Sequence, residues 1–252
     1  MSEQEKRNRE EKLEDQEINT EGTAVSWISN FWFYNKWKVI IIAFATLLVT
    51  VCTLQMCGNE TEDITVLYAG SCYIQTDHFE EAKQAFSAVL PEDFNNDGRR
   101  SADIASCHVY SDEQVAERKA QALEREDVIE INTVVNQREL QSYDQLILAG
   151  EYKIVVAEPW LYSRVKTAGG FRKLSDVLGY VPEEALDDYA VKFCELPFYE
   201  QFRDAFPNFT DDTLIAIRTE SSIGSALTGK KKSEKAYEQA EQTFRAIIEF
   251  GK

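Results

Sequence analysis

From Val39 to Met56 the chain reads VIIIAFATLLVTVCTLQM, 18 residues without a charge. As a helix this stretch is about 27 Å long, close to the roughly 30 Å of a bilayer's hydrocarbon core. Three of the four tryptophans, Trp27, Trp32 and Trp37, precede it together with Phe31, Phe33 and Tyr34. Amphipathic rings favour the headgroup layer, so residues 27–38 read as an interfacial segment and residues 39–57 as a single transmembrane helix. A buried core helix has no reason to gather aromatics and then Lys36 and Lys38 at one end. A cleaved signal peptide normally has a far shorter leader than the 38 residues that come before Val39. A lipobox reading of Leu54-Gln55-Met56-Cys57 fails on Met56, where a small residue belongs.

Charge divides at the same place. Lys36 and Lys38 abut one end of the apolar run and Glu60, Glu62 and Asp63 the other, which places the N-terminus in the cytoplasm and the C-terminal part outside the cell. Residues 1–26 hold eight acids and four bases with almost no apolar side chain. They cannot bury enough surface to offset ordering entropy and read as a disordered acidic cytoplasmic tail. Removing the net −2 of residues 1–38 from the total of −17 leaves about −15 on the remainder, read as one extracytoplasmic domain over residues 60–252. So acidic a domain argues against nucleic acid as a partner. Membrane lipid, met through the helix, is the partner the sequence names. Outside the membrane segment stand Cys72, Cys107 and Cys194, an odd number. Cys72 and Cys107 fall near the ends of consecutive predicted strands and are the pair that could join; ordinary buried thiols are the alternative.

The outer part alternates strand and helix. Strands are expected at 63–68, 102–110, 152–157 and 213–218, with a short β-like stretch at 127–133. Helices are expected at 79–90, 113–124, 134–148 and 233–250. The spacing of Ala236, Ala240, Phe244, Ile247 and Ile248 makes the last of these amphipathic. Between 171 and 212 the pattern is looser and turn-rich. An α/β domain with a mainly parallel sheet and helices on both faces follows.

Two passages carry a resemblance: Leu140-Gln-Ser-Tyr-Asp-Gln-Leu-Ile-Leu-Ala-Gly-Glu-Tyr-Lys-Ile-Val-Val-Ala157, and Phe171-Arg-Lys-Leu-Ser-Asp-Val-Leu178. They resemble the helix–glycine–strand and LSDVL passages of type II extracellular solute-binding proteins. With the anchor behind FWFYNKWK, the chain is similar to small single-pass membrane proteins of Gram-positive bacteria that carry such a domain. The resemblance implies a periplasmic-binding-protein-like fold and a non-catalytic domain that binds a small solute or an envelope protein. The chain is too short for a full second lobe, so a reduced one is expected. A structural or assembly protein of the envelope built on a degenerate binder fold is the alternative, and an unrecognised surface hydrolase is a second.

Open α/β sheets bind ligands beyond the carboxyl ends of their strands. That selects Ser71 and Tyr73 after the first strand, Glu158 and Trp160 after the strand ending at Ala157, and Arg218 after the last one. Trp160, with Tyr162, could stack on a sugar or peptide group; packing a loop onto the core is the ordinary reading. Asp93, Asn95 and Asp97 match the opening of a calcium loop, D-x-N-x-D-G, but the twelfth position is Ile104. A tight turn explains the same residues. Gly224-Ser-Ala-Leu-Thr-Gly229-Lys230 approaches a phosphate-binding loop, with Lys231 where Ser or Thr should hold magnesium. The only histidines are His78 and His108, in no catalytic motif, and Cys107 and His108 should face opposite sides of a strand. No cofactor is called for, and no enzyme is expected.

Overall fold

The computed structural model describes residues 23–58, 62–125, 130–221, 226 and 229–252, and the chain divides into Met1–Glu60 and Thr61–Lys252. Most of the acidic tail, residues 127–129 of the expected β-like stretch and most of the Gly224–Lys230 motif lie outside the described residues.

In the first unit, α1 runs from Thr23 to Gly58, 36 residues whose only glycine is the last. The interfacial segment and the apolar run are thus one helix, and it reaches back to Thr23, into the expected tail. Three successive isoleucines, Ile40 to Ile42, are all exposed and span most of a helical turn, as are Phe44, Leu47 and Val49. A helix that is apolar on every side has no aqueous face. Its threonines do not break the pattern. Thr46 Oγ1 donates to Ile42 O and Thr50 Oγ1 to Thr46 O, both at 2.8 Å, and Thr53 Oγ1 to Val49 O, so each hydroxyl is satisfied within the helix. The stretch Phe31–Thr53, with a mean hydropathy of 1.8, fits a transmembrane helix or a signal sequence.

In the second unit, alternation of period two sorts the strand side chains onto two faces. Val66 and Tyr68 of β1 (Ile64–Gly70), Ile154 and Val156 of β3 (Ile154–Ala157) and Ile215 and Ile217 of β5 (Leu214–Ile217) enter one apolar cluster. Leu67 and Ala69, Val155 and Ala157, and Leu214 and Ala216 enter a second. A strand apolar on both faces must be covered on both. The first face is covered by α2 (Thr76–Ala88), α6 (Leu174–Leu178), α7 (Pro197–Gln201) and α8 (Lys230–Ile248), the second by α4 (Thr133–Ala149) and α5 (Pro159–Thr167). Between β2 (Ala102–His108) and α4 lies α3 (Asp112–Glu124), and β4 is Ala190–Lys192.

The sheet order is β2-β1-β3-β5-β4. β1 pairs in parallel with β2 and β3, whereas β5 runs antiparallel to both β3 and β4. The sheet is therefore mainly parallel with one reversed strand. All five described strands belong to it, and among the described residues no second sheet forms a second lobe. Residues 193–213, which lead from β4 to β5, fold back instead as an aromatic cap. Phe193 and Phe198 are fully buried; the Phe193 ring meets Phe206 at 5.2 Å and Phe198 at 5.9 Å, and Phe86 meets Phe198 at 5.3 Å. The turn-rich sequence hid this because its phenylalanines follow no single period.

Asp187, in the loop before β4, ties that loop to α5. Its carboxylate accepts from Tyr162 Oη at 2.7 and 2.8 Å, Lys166 Nζ at 2.7 Å and Tyr189 N at 2.8 Å. Burial would raise its pKa, but the hydrogen bonds from Lys166, Tyr162 and Tyr189 outweigh it and hold the carboxyl below its ordinary value.

A depressed folded-state value stabilises the fold above the unfolded-state pKa, about 3.9, and that stability is lost as pH falls through the folded value. Asp187→Asn should therefore narrow its stability gap to the wild type as pH is lowered below about 4, measured by urea unfolding at stepped pH. At neutral pH, Phe193→Ala should cost about 3–5 kcal/mol in the same measurement, since no neighbouring ring can fill the space.

Candidate functional site

Glu158 follows β3 and precedes Pro159 at the start of α5. Only 2% of the residue is exposed, a position where a carboxylate is costly unless its oxygens are hydrogen-bonded. Here they are. Oε1 accepts from Ser71 N at 2.6 Å and Ser71 Oγ at 2.5 Å; Oε2 accepts from Gln114 Nε2 at 2.9 Å and Trp160 Nε1 at 3.3 Å. The carboxylate thereby joins the turn after β1, the first turn of α3 and the first turn of α5.

The turn after β1 is built for this approach. A Cβ on Gly70 would stand 2.7 Å from Tyr68 Oη and 2.9 Å from Glu158 Oε1, so only glycine lets the strand end beside the acid. Tyr68 Oη accepts from Cys72 N at 3.2 Å, and burial pushes its pKa far above the ordinary phenol value. Gln114 serves twice: its Oε1 accepts from Ser111 N at 2.8 Å, its backbone N donates to Ser111 Oγ at 3.2 Å, and its side-chain amide remains for Glu158. This capping box fixes the N-terminus of α3.

Beside this knot, at the end of β2, His108 and Tyr110 are half-buried. His108 Nε2 donates to Ser71 O at 2.7 Å, and its ring lies 5.7 Å from Tyr73 and 4.8 Å from Tyr110. Tyr73 is 67% exposed. Asn136, buried on α4, clasps the backbone of Tyr110: its Oδ1 accepts from Tyr110 N at 2.8 Å and its Nδ2 donates to Tyr110 O at 2.9 Å. A cavity of about 290 Å³ opens here, lined by His108, Tyr110, Arg118, Glu130, Ile131, Asn132, Val135 and Asn136. Its walls are mixed: two aromatic rings, two aliphatic side chains, two amides and one charge of each sign.

The five sequence-derived ligand residues thus divide. Ser71, Glu158 and Trp160 come together, Tyr73 stands next to them, and Arg218 does not join them. Arg218 follows β5, whose reversed direction carries its carboxyl end to the other edge of the sheet, where Ile217 pairs with Ile154 and Arg218 N donates to Lys153 O at 2.8 Å. The length of β3, roughly 13 Å for four residues, separates the two edges. Tyr162 also leaves the site. Two residues on from Trp160 in a helix it points to the opposite side, is buried, and stacks on Phe171 at 5.1 Å. Gln114, His108, Tyr110, Arg118 and Asn136 were not among the sequence candidates. The S-x-x-Q spacing of Ser111 and Gln114 was the one local signal for any of them.

At 93–98 the acidic side chains turn inward onto their own backbone. Asp93 accepts from Asn96 N at 2.7 Å and Gly98 N at 2.8 Å, Asn95 Oδ1 from Asp97 N at 2.8 Å, and Asp97 Oδ1 from Arg99 N at 2.8 Å. This is the geometry of a tight Asx turn. Among the described residues no group of three or more His, Cys, Asp or Glu side chains is placed to hold a metal ion.

Cys72 and Cys107 are both free and buried, which corrects their suggested pairing. Cys72 belongs to the cluster on one face of the sheet and Cys107 to that on the other, so the sheet stands between them. Burial raises both thiol pKa values, that of Cys107 to about 11, which leaves them protonated and unreactive. Cys107 and His108 face apart, as strand geometry requires.

In comparisons with known proteins, the chain matches no family model, no curated protein and no solved structure.

Glu158→Ala should lower stability by about 3 kcal/mol, because it leaves the Ser71, Gln114 and Trp160 donors without their charged acceptor. Urea unfolding measures the cost, and Gly70→Ala should reproduce much of it by forcing Tyr68 and Glu158 aside.

Proposed function

We propose that this chain is a single-pass membrane protein with its N-terminus in the cytoplasm. Its C-terminal domain, one lobe of a type II solute-binder-like fold, recognises a small solute outside the cell without chemistry. The observation that carries the reading is the pairing, at the carboxyl edge of the sheet, of a rigid knot with an open cavity. Glu158 spends both oxygens on four donors and so holds the loops still. The 290 Å³ cavity beside it offers Arg118, Asn132 and the His108 and Tyr110 rings. Small-ligand sites commonly have this make-up, a rigid concave surface with a few convergent polar groups. A carboxylate saturated by donors is a scaffold and a poor general base, which supports the non-catalytic reading over a surface hydrolase. Arg118 can pair with a negative group of such a solute, and Glu130 on the same wall with a positive one. The match of 93–98 to a calcium loop stays with this reading only as a stabilising site, since its oxygens accept from the backbone.

One observation favours the second reading, in which the domain docks an envelope protein. The described residues form one lobe, and a single lobe leaves the carboxyl edge uncovered where a two-lobed binder would close over its ligand. On that reading the exposed Tyr73 and the cavity rim are a contact surface.

Thermal shift of the full chain in detergent against sugars, amino acids, short peptides and calcium separates these readings. Stabilisation by one class of solute, lost in Arg118→Ala and in Tyr110→Ala, is the expected outcome. No response to any solute would transfer the role to protein docking. External protease on intact cells should remove the C-terminal domain, and full protection would overturn the proposed topology.

A further inference from the structure

The amino edge of the sheet holds a buried charge whose guanidinium is only partly bonded among the described residues. Arg218 lies one residue past β5 and is 5% exposed, and its Nε and Nη1 have no hydrogen-bond partner among the described residues. The titratable groups that act on it most are Tyr143 of α4 and Tyr237 of α8, both kept protonated because burial raises their pKa values. Each spends its hydroxyl elsewhere: Tyr143 Oη donates to Leu161 O at 3.4 Å and Tyr237 Oη to Thr219 O at 2.7 Å.

A second cation stands beside it. Lys153 precedes β3 and donates from Nζ to Gly150 O at 2.7 Å and Glu151 O at 2.9 Å, with its ammonium 5.3 Å from the Tyr237 ring. Its pKa is depressed by burial first and by the charge of Arg218 second. Glu151 and Glu220 act on Lys153 through space, but neither forms an ion pair with it among the described residues, and Glu220 accepts from Ser233 Oγ at 3.0 Å.

A guanidinium taken out of water is tolerated when paired and is costly when it is not. This chain carries 44 acidic residues against 27 basic ones, so a carboxylate partner would have been easy to supply. Carboxylates do stand nearby, Glu151 sharing a cavity with Lys153, Glu62, Asp63 and Asp103, yet among the described residues none of them is bonded to Arg218 Nε or Nη1. An anion reaching so enclosed a group must be small, and planar guanidinium donors match the oxygens of tetrahedral oxyanions.

We propose that Arg218, assisted by Lys153, binds a small tetrahedral oxyanion of the phosphate or sulfate class at the amino edge of the sheet. This site is separate from the carboxyl-edge cavity and does not rest on the solute-binding reading.

The test is differential scanning fluorimetry of the full chain in detergent, with sodium phosphate or sodium sulfate compared against sodium chloride at equal ionic strength. The wild type should gain about 5–10 °C in Tm at a hundredfold excess of phosphate over Kd. Arg218→Met, which keeps the apolar stem, and Arg218→Gln should lose the gain. Lys153→Gln should reduce it, and Arg118→Ala should leave it intact. Calorimetric titration of the wild type with phosphate should give one site per chain, which keeps the test valid if an Arg218 variant fails to fold. A gain no larger than that in chloride, a gain retained in Arg218→Met, or no measurable phosphate site in the titration would each overturn the proposal.

Discussion

An ionised carboxylate survives in a protein interior only where donors replace the water it has lost, and Glu158 shows how much structure that demand can organise. Four hydrogen bonds on one side chain draw together the ends of β1 and β3 and the beginnings of α3 and α5. The glycine at position 70, the capping box at Ser111 and Gln114 and the proline that opens α5 are all local solutions that bring a donor, or make room, for this acid. The cavity at the end of β2 inherits its rigidity from that arrangement, since Ser71 also accepts the His108 proton through its carbonyl.

The opposite edge of the sheet presents the converse. Arg218 is nearly as deeply placed as Glu158 but, among the described residues, lacks hydrogen-bond partners for two of its nitrogens. The two charges cannot answer one another because β5 runs against its neighbours, which sends its carboxyl end to the edge where β3 begins. One reversed strand thus produces two chemically distinct edges: an acid fully satisfied by the protein and a base left for something else.

The domain's core is made of two apolar layers on either side of one sheet, and the aromatic cap at 193–213 closes over one of them.

Much of this was legible in the chain itself. The uncharged run from Val39 to Met56 dictates an apolar helix whatever follows, because no other structure satisfies that backbone beside so much apolar surface. Short, nearly unbroken apolar runs at β1, β3 and β5, and helical spacing in α2, α4 and α8, specified their type and place to within a few residues, since the runs reflect burial on both faces of a sheet and the spacing reflects burial along one face of a helix. The turn at 93–98 was likewise local. Direction and convergence were not. Whether β5 runs with or against β3, which side of the sheet each cysteine faces, how scattered phenylalanines at 193–209 meet, and that Gln114 reaches Glu158 across 44 positions depend on contacts between residues far apart in sequence. Periodicity carries no information about such pairs, because a strand or helix has the same pattern whichever neighbour it meets. Only the packed tertiary structure could decide that Glu158 is saturated and that, among the described residues, Arg218 is not.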